Sequence, residues 1–187
     1  MRRPDNKTLI LTGILFLVII LLTCLLRFDI HHQDKPSGYW TLGDIGIYIA
    51  VALLGGPWAA LAAGLGSALA DVFVGQAIYA PASLVIKAGM ALVFASYLKR
   101  GHTLLHLVKS VGMAGGIMIG GYFFYDLIFR GDYILAAIGL PFNILQLIGS
   151  GIIAVPVLFL MGGKNYRQGA GFGSRDDFYT PPKRQLK

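Results

Sequence analysis

Glutamate is missing from this sequence: all nine acidic residues are aspartates. Cysteine is nearly missing. Cys24 stands alone, which excludes an intramolecular disulfide and a zinc site built on cysteines. Charge is scarce too, at 13% of 187 residues, against ~25% in an ordinary soluble domain. A phosphate loop is also lacking. Gly162-Gly163-Lys164 has neither the upstream glycine spacing nor the following Ser or Thr, so nothing here binds and hydrolyses ATP. No cofactor and no metal site is expected. His31-His32 is a pair without a third ligand of evident spacing.

Apolar residues are abundant. They make up 56% of the chain, and the mean hydropathy is +0.67. A soluble domain of this size would expose large apolar patches, so the composition indicates a membrane protein. One span needs ~20 apolar residues to cross a ~30 Å hydrocarbon core. Six spans take ~120 residues, which leaves no room for a fused ATPase, kinase or DNA-binding module.

The first apolar run, Thr8 to Leu26, exceeds the core of a signal peptide and lacks a small-residue cleavage site. It reads as an uncleaved first span. Asp29 to Thr41 reads as a polar loop. Span two runs from Leu42 to Leu54 and is short. Gly55-Gly56-Pro57 makes a tight turn. Span three runs from Pro57 to Val74. Span four starts at Pro81, where proline's missing N–H costs nothing, and ends near Leu98. Span five covers Thr103 to Phe129. Span six begins at Pro141 and reaches Leu160, with Asp132 to Leu140 as its lead-in or a separate short helix. The expected fold class is an all-α integral membrane protein: a bundle of six transmembrane helices, both termini cytoplasmic. Residues 1–161 form the transmembrane domain, and residues 162–187 read as a disordered polar tail.

The basic residues fix that orientation. With the N-terminus inside, Arg2, Arg3, Lys7, Lys99, Arg100, Lys109, Lys164, Arg167, Arg175, Lys183, Arg184 and Lys187 fall on the inner side. Only Arg27, Lys35 and Arg130 fall outside, and Lys87 lies within a span. This is the positive-inside pattern. The net charge of +7 is therefore a topology signal and a contact with anionic lipid, not a nucleic-acid footprint.

Ionisable residues within spans are costly and mark functional sites. Asp71 lies roughly 6 Å and Lys87 roughly 9 Å from the outer ends of their spans, at 1.5 Å per residue. Asp44, Asp126, Asn143 and Gln146 fall at the same outer level. Trp40, Tyr48, Tyr79, Tyr122 and Tyr125 surround it. The inner halves are almost purely apolar. The pattern suggests a substrate pocket open to the outside and closed below by a dry base. These eleven residues are the candidate substrate-binding set; none is catalytic. Their structural alternatives are a mutual Lys87–Asp71 pair, an interfacial belt of aromatics, and Asn143 and Gln146 as interhelical glue. Two stripes of small residues, Gly112-Gly116-Gly120 and Ala59-Ala63-Ser67, read as internal packing faces, with docking to another subunit as the alternative. A serine–histidine dyad within the membrane is excluded, because the histidines lie in loops or near the inner surface.

Leu42-Gly43-Asp44-Ile45, the Gly56-Pro57 turn, Gly66-Ser67-Ala68-Leu69-Ala70-Asp71, Tyr79-Ala80-Pro81, Ser83-Leu84-Val85-Ile86-Lys87 and Pro141-Phe142-Asn143-Ile144-Leu145-Gln146 together resemble the substrate-binding S components of energy-coupling factor (ECF) vitamin transporters. The resemblance covers about Leu42 to Leu160. It implies a six-helix membrane protein that captures a vitamin or precursor from outside. The implied partners are a transmembrane coupling subunit and two cytoplasmic ATPases that carry the ATP hydrolysis. It also implies that the loop after helix one, Asp29 to Thr41, closes over the site. The family's alanine docking face on helix one is absent here. The motifs resemble hydroxymethylpyrimidine- or pyridoxine-type members first and pantothenate-type second, with Lys87 suited to a carboxylate. Two alternatives stand beside this: a six-helix scaffold of the cell-wall machinery, or a stand-alone secondary transporter.

Overall fold

The computed structural model describes residues 5–32, 35–101 and 103–169. Among the described residues, six α-helices and one β-hairpin make up the fold, with a 3₁₀ and a π-helical turn between them. Helix α1 (Asn6–Leu25) is capped by Asp5, whose carboxylate accepts from the Thr8 amide (2.8 Å) and hydroxyl (2.6 Å). Those bonds, the hydroxyl's first, hold the Asp5 carboxyl below its usual range. Much of α1, including Ile10, Ile14, Leu17 and Leu21, faces outward, as a lipid-facing helix requires.

Strands β1 (Arg27–His32) and β2 (Lys35–Thr41) follow and pair antiparallel. The stretch expected as a polar loop is thus largely a hairpin, within an otherwise helical fold. Phe28 sits opposite Trp40, with ring centroids 5.5 Å apart. Such an aromatic pair rewards strand pairing in a segment with little helix propensity.

Helix α2 (Asp44–Leu54) has 11 residues, so it is ~16 Å long, about half a hydrocarbon core. The second span, read from the sequence as short, is too short to cross the core by itself. Nearly all of it is buried, Ile47, Tyr48 and Ala50 completely, so it lies inside the bundle. Gly55 ends it at φ +78°, a left-handed value suited to glycine, and α3 (Gly56–Phe73) starts at once. Along α3, Ala59, Ala63 and Ser67 are buried as expected. Gly64 lets α3 approach α4 closely: a Cβ there would lie 2.6 Å from the Leu84 carbonyl oxygen.

A 3₁₀ turn (Ala77–Tyr79) leads into α4 (Ala80–Leu98). Helix α5 (Leu104–Phe124) is capped by Thr103 and runs into a π-helical turn, Tyr125–Phe129. Gly112, Gly116 and Gly120 are not an internal packing face. A Cβ at each would meet nothing within 4 Å, whereas Gly115 and Gly121 are the glycines pressed against Leu147 and Ile86. A stripe spaced by four reads the same from sequence on either side of the helix.

Helix α6 runs unbroken from Tyr133 to Gly169 through Pro141 and Pro156. The helix starts before Pro141, so the stretch Asp132 to Leu140 is its lead-in and not a separate short helix. Its start is set upstream, where the Asp132 carboxylate accepts from the Leu135 amide at 2.8 Å. A proline in a membrane helix removes one backbone bond that its neighbours tolerate. The helix also continues eight residues into the stretch expected as a polar tail (residues 162–169). The remainder of that tail, residues 170–187, and the basic residues Arg2 and Arg3 lie outside the described residues.

Among the described residues, four stretches are long and apolar enough to cross a membrane: Asn6–Leu25, Ala77–Leu98, Leu104–Phe129 and Tyr133–Met161. Chain direction alternates from helix to helix. One end of the bundle therefore collects the hairpin, the turn before α4 and the turn before α6. The other collects the start of α1, the Gly55 turn and the start of α5.

Candidate functional site

Every helix and β2 contribute to one cavity at the hairpin end. Its volume is about 70 Å³, room for a handful of waters at ~10–15 Å³ each. The first turn of α2 supplies Asp44 and the last turn of α3 supplies Asp71, each 1% exposed. Lys87, two turns into α4, is 4% exposed. Charges so far from water persist only when paired or hydrogen-bonded.

Two polar networks meet that requirement. In the first, the Lys87 ammonium lies 2.5 Å from Asp44 Oδ1 and donates to Met118 Sδ at 3.2 Å. Gln146 Nε2 donates to Asp44 Oδ2 at 2.8 Å, and Gln146 Oε1 accepts from the Thr41 amide at 3.4 Å. This chain ties α4, α2, α6 and the hairpin together. Lys87 therefore pairs with Asp44, not with Asp71 as the sequence alternative held. In the second network, Tyr79 Oη donates to Asp126 Oδ1 at 2.9 Å. Arg130 Nη1 donates to Tyr79 Oη at 2.5 Å and lies 3.5 Å from Asp126. The π turn aids this arrangement. The Arg130 amide bonds back five residues to Tyr125 at 3.2 Å, and that wider turn accompanies Asp126 in the cavity wall, a setting where such turns recur at functional sites.

Asp71 belongs to neither network. The Tyr39 hydroxyl of β2 donates to its Oδ1. Its Oδ2 is buried and has no hydrogen-bond partner among the described residues. Burial pushes the Tyr39 phenol well above its usual range, so it stays protonated and acts as the donor. Between Asp71 and Lys87, Ser83 and Tyr122 share a hydroxyl–hydroxyl bond of 2.7 Å.

Of the eleven residues read from the sequence, eight line the cavity: Asp44, Asp71, Tyr79, Lys87, Tyr122, Asp126, Asn143 and Gln146. Three do not. Tyr48 is fully buried one turn deeper, with its ring 4.8 Å from Phe94. Tyr125 turns its hydroxyl to the Ile78 carbonyl at 2.5 Å. Trp40 lies in a separate apolar groove with Phe28, Phe142 and Leu145. Thr23, Tyr39, Thr41, Ser67, Ser83, Gly139 and Phe142 also line the cavity, beyond the eleven residues expected from the sequence. Ser67 and Ser83 were within reach, since each lies four residues before a chosen residue and so on its helix face. The side chains of His31 and His32 lie outside the described residues.

A family model described as the ECF-type riboflavin transporter, S component, matches residues 5–164. A solved structure titled "Structure and mechanism of the S component of a bacterial ECF transporter" is similar to the chain, with a TM-score of 0.60 at 20% sequence identity. That match covers 84% of this chain and 94% of the other, and it supports the shared fold. No curated protein sequence matches significantly.

Proposed function

Because this multi-pass membrane protein belongs to the family of riboflavin-type S components of ECF transporters, we propose that it captures an uncharged heteroaromatic vitamin of the riboflavin kind from outside the cell. An S component is a substrate-binding subunit and not an enzyme. Family membership speaks against the scaffold and the stand-alone transporter. The hairpin end faces outward and both termini lie in the cytoplasm, as the basic residues suggest. A transmembrane coupling subunit and two ATPases supply the energy.

The observation that carries this reading is the buried Asp71 carboxylate in a cavity that every helix helps to build, with an Oδ2 that takes no well-formed hydrogen bond among the described residues. A buried acceptor without a donor is costly, and a ligand N–H or O–H would satisfy it. The cavity's other polar groups, Asn143, Tyr122 and Ser83 among them, suit the edges of a flat polar ring system. The family model's name favours a flavin over the hydroxymethylpyrimidine, pyridoxine and pantothenate types suggested by the motifs. Pantothenate is further disfavoured because Lys87, its expected carboxylate partner, is held by Asp44. A three-ring flavin exceeds the present cavity, so binding requires the β1–β2 hairpin to lift. Tyr39 and Thr41 attach it to the cavity wall.

The test is titration of the purified full chain with riboflavin, followed by flavin fluorescence. Saturable one-to-one binding is expected. No binding of riboflavin under conditions where the protein is folded would refute the flavin assignment.

A further inference from the structure

Polar structure in this bundle continues below the cavity. At the cavity wall, the Lys87 ammonium and the Gln146 amide both reach the Asp44 carboxylate. Both also donate to Met118 Sδ, at 3.2 and 3.3 Å. Asp44, Lys87, Met118 and Gln146 come from α2, α4, α5 and α6. Their bonds therefore fix the register of four helices against one another.

The next layer follows from that register. Helices α2, α4 and α6 run away from the hairpin, and α5 runs toward it. One turn deeper, ~6 Å at 1.5 Å per residue, lie the residues four positions on in α2, α4 and α6 and four positions back in α5. They are Tyr48, Ala91, Ser150 and Ala114. Each is 0% exposed, and none lines the cavity. The neighbours of Ser150 show that it faces this interior. A Cβ on Gly149 would meet Trp40 of the hairpin at 3.1 Å, and one on Gly151 would meet Val111 of α5 at 3.3 Å; Ser150 points between them. Two members of the layer are alanines, whose side chains end at Cβ. The other two carry hydroxyls, and neither Tyr48 Oη nor Ser150 Oγ has a hydrogen-bond partner among the described residues.

We propose that this layer binds one water molecule, which bridges Tyr48 Oη and Ser150 Oγ. A buried hydroxyl without a partner is costly, and hydrocarbon around the bundle supplies none. One water brings two donors and two acceptors, so it meets both hydroxyls, and a buried water takes 2–4 such partners. The alanines leave the space that larger apolar side chains would fill. The chemistry of the layer selects a small neutral ligand able both to donate and to accept. A cation does not suit it: the layer holds no carboxylate, and the Asp44 carboxylate above is engaged by Lys87 and Gln146. The base of the bundle thus contains one wet point, which ties α2 to α6 a turn below the bond between Asp44 and Gln146.

The experiment measures thermal unfolding of the full chain in detergent for Tyr48→Phe, Ser150→Ala and the two combined. Each substitution removes a hydroxyl and little else. An empty layer and a hydrated one differ in sign. Removing an orphan hydroxyl relieves its burial cost and raises the melting temperature. Removing one end of a water bridge strands the other end and lowers it, by roughly 2–4 °C for a chain of this length. The combined variant is expected to fall by less than the sum of the two, because the second hydroxyl has no bridge left to lose. A melting temperature that rises or holds in either single variant overturns the proposal, and so do two falls that simply add. The second arm uses the unaltered protein: a crystal structure at a resolution that shows ordered water. One peak within hydrogen-bond distance of both oxygens is expected. Empty space between them, or a direct bond from one hydroxyl to the other, overturns the proposal. Neither arm involves a vitamin, so the result is independent of the flavin assignment.

Discussion

The two ends of this bundle are built on opposite principles. At the hairpin end, four buried charges, Asp44, Asp71, Lys87 and Asp126, are held by directed bonds around a small cavity. At the other end, Tyr48, Phe94, Leu107, Val111 and Leu158 fill the space between buried alanines such as Ala59, Ala63 and Ala91. Cohesion there is shape and dispersion, which act over every contact and aim at nothing. At the hairpin end, cohesion depends on a few atoms whose loss leaves a specific group unsatisfied. One end can thus exchange partners with a ligand, and the other serves as a fixed base.

Substitutions should separate the two. The largest effect is expected for Lys87→Ala, which strands Asp44 in the interior and costs ~3–5 kcal/mol. Thermal unfolding of the purified protein measures it, and an unchanged melting temperature would break the contrast. Replacing both partners, Lys87→Met with Asp44→Leu, should recover most of the loss, because a buried pair is about as stable as an apolar one. Phe94→Ala at the dry end removes a fully buried ring and should cost nearly as much, ~3–5 kcal/mol. Its signature differs: the folded fraction should bind ligand with unchanged affinity. Gln146→Ala leaves Asp44 Oδ2 and the Thr41 amide without each other's bridge and should cost ~1–3 kcal/mol, lowering both stability and affinity.

Smaller effects sharpen the picture. Tyr39→Phe removes the hairpin's bond to Asp71. Losing ~1.5 kcal/mol should speed hydrogen exchange in β2 about tenfold and leave the exchange of α4 and α5 unaltered. The smallest effect belongs to Asp5, at the rim of the dry end. Its carboxyl is held below the usual range by Thr8. A depressed folded-state value means that the cap's contribution is present above the unfolded value of ~3.9 and is lost as pH falls through the lower folded one. The acid limb of a melting curve should show that decline, and Asp5→Asn should flatten it.

Much of this division is legible in the sequence. Counting residues from span ends places Asp44, Asp71, Lys87 and Asp126 in the outer part of the bundle, because a helix rises by a constant amount per residue; for Asn143 and Gln146 the count runs from Pro141, which is not the start of α6, although both line the cavity. Partner choice is not legible that way. Lys87 took Asp44 over Asp71 because of helix rotation and crossing, which depth does not encode. The hairpin marks a second limit. Trp40 reads from the sequence as one of the aromatics around the site, but in a strand successive side chains point to opposite faces. Tyr39 and Thr41 therefore meet the cavity while Trp40 falls into the apolar groove. A segment read as a loop has no such parity to consult. The length of α6 was hidden for another reason: Pro141 carries a start signal as strong locally as the Asp132 cap that prevails.

The short buried helix α2 also bears on how the chain is made. At ~16 Å it cannot hold itself across a bilayer, and it carries an acid at its first position. The counter-ion, Lys87, is 43 residues further on. At ~5–20 residues per second, the ribosome delivers it ~2–9 seconds later. For that interval α2 has neither the neighbours that enclose it nor the cation that neutralises it. Its settled place in the bundle therefore depends on α3 and α4, which bring the enclosing neighbours and the counter-ion.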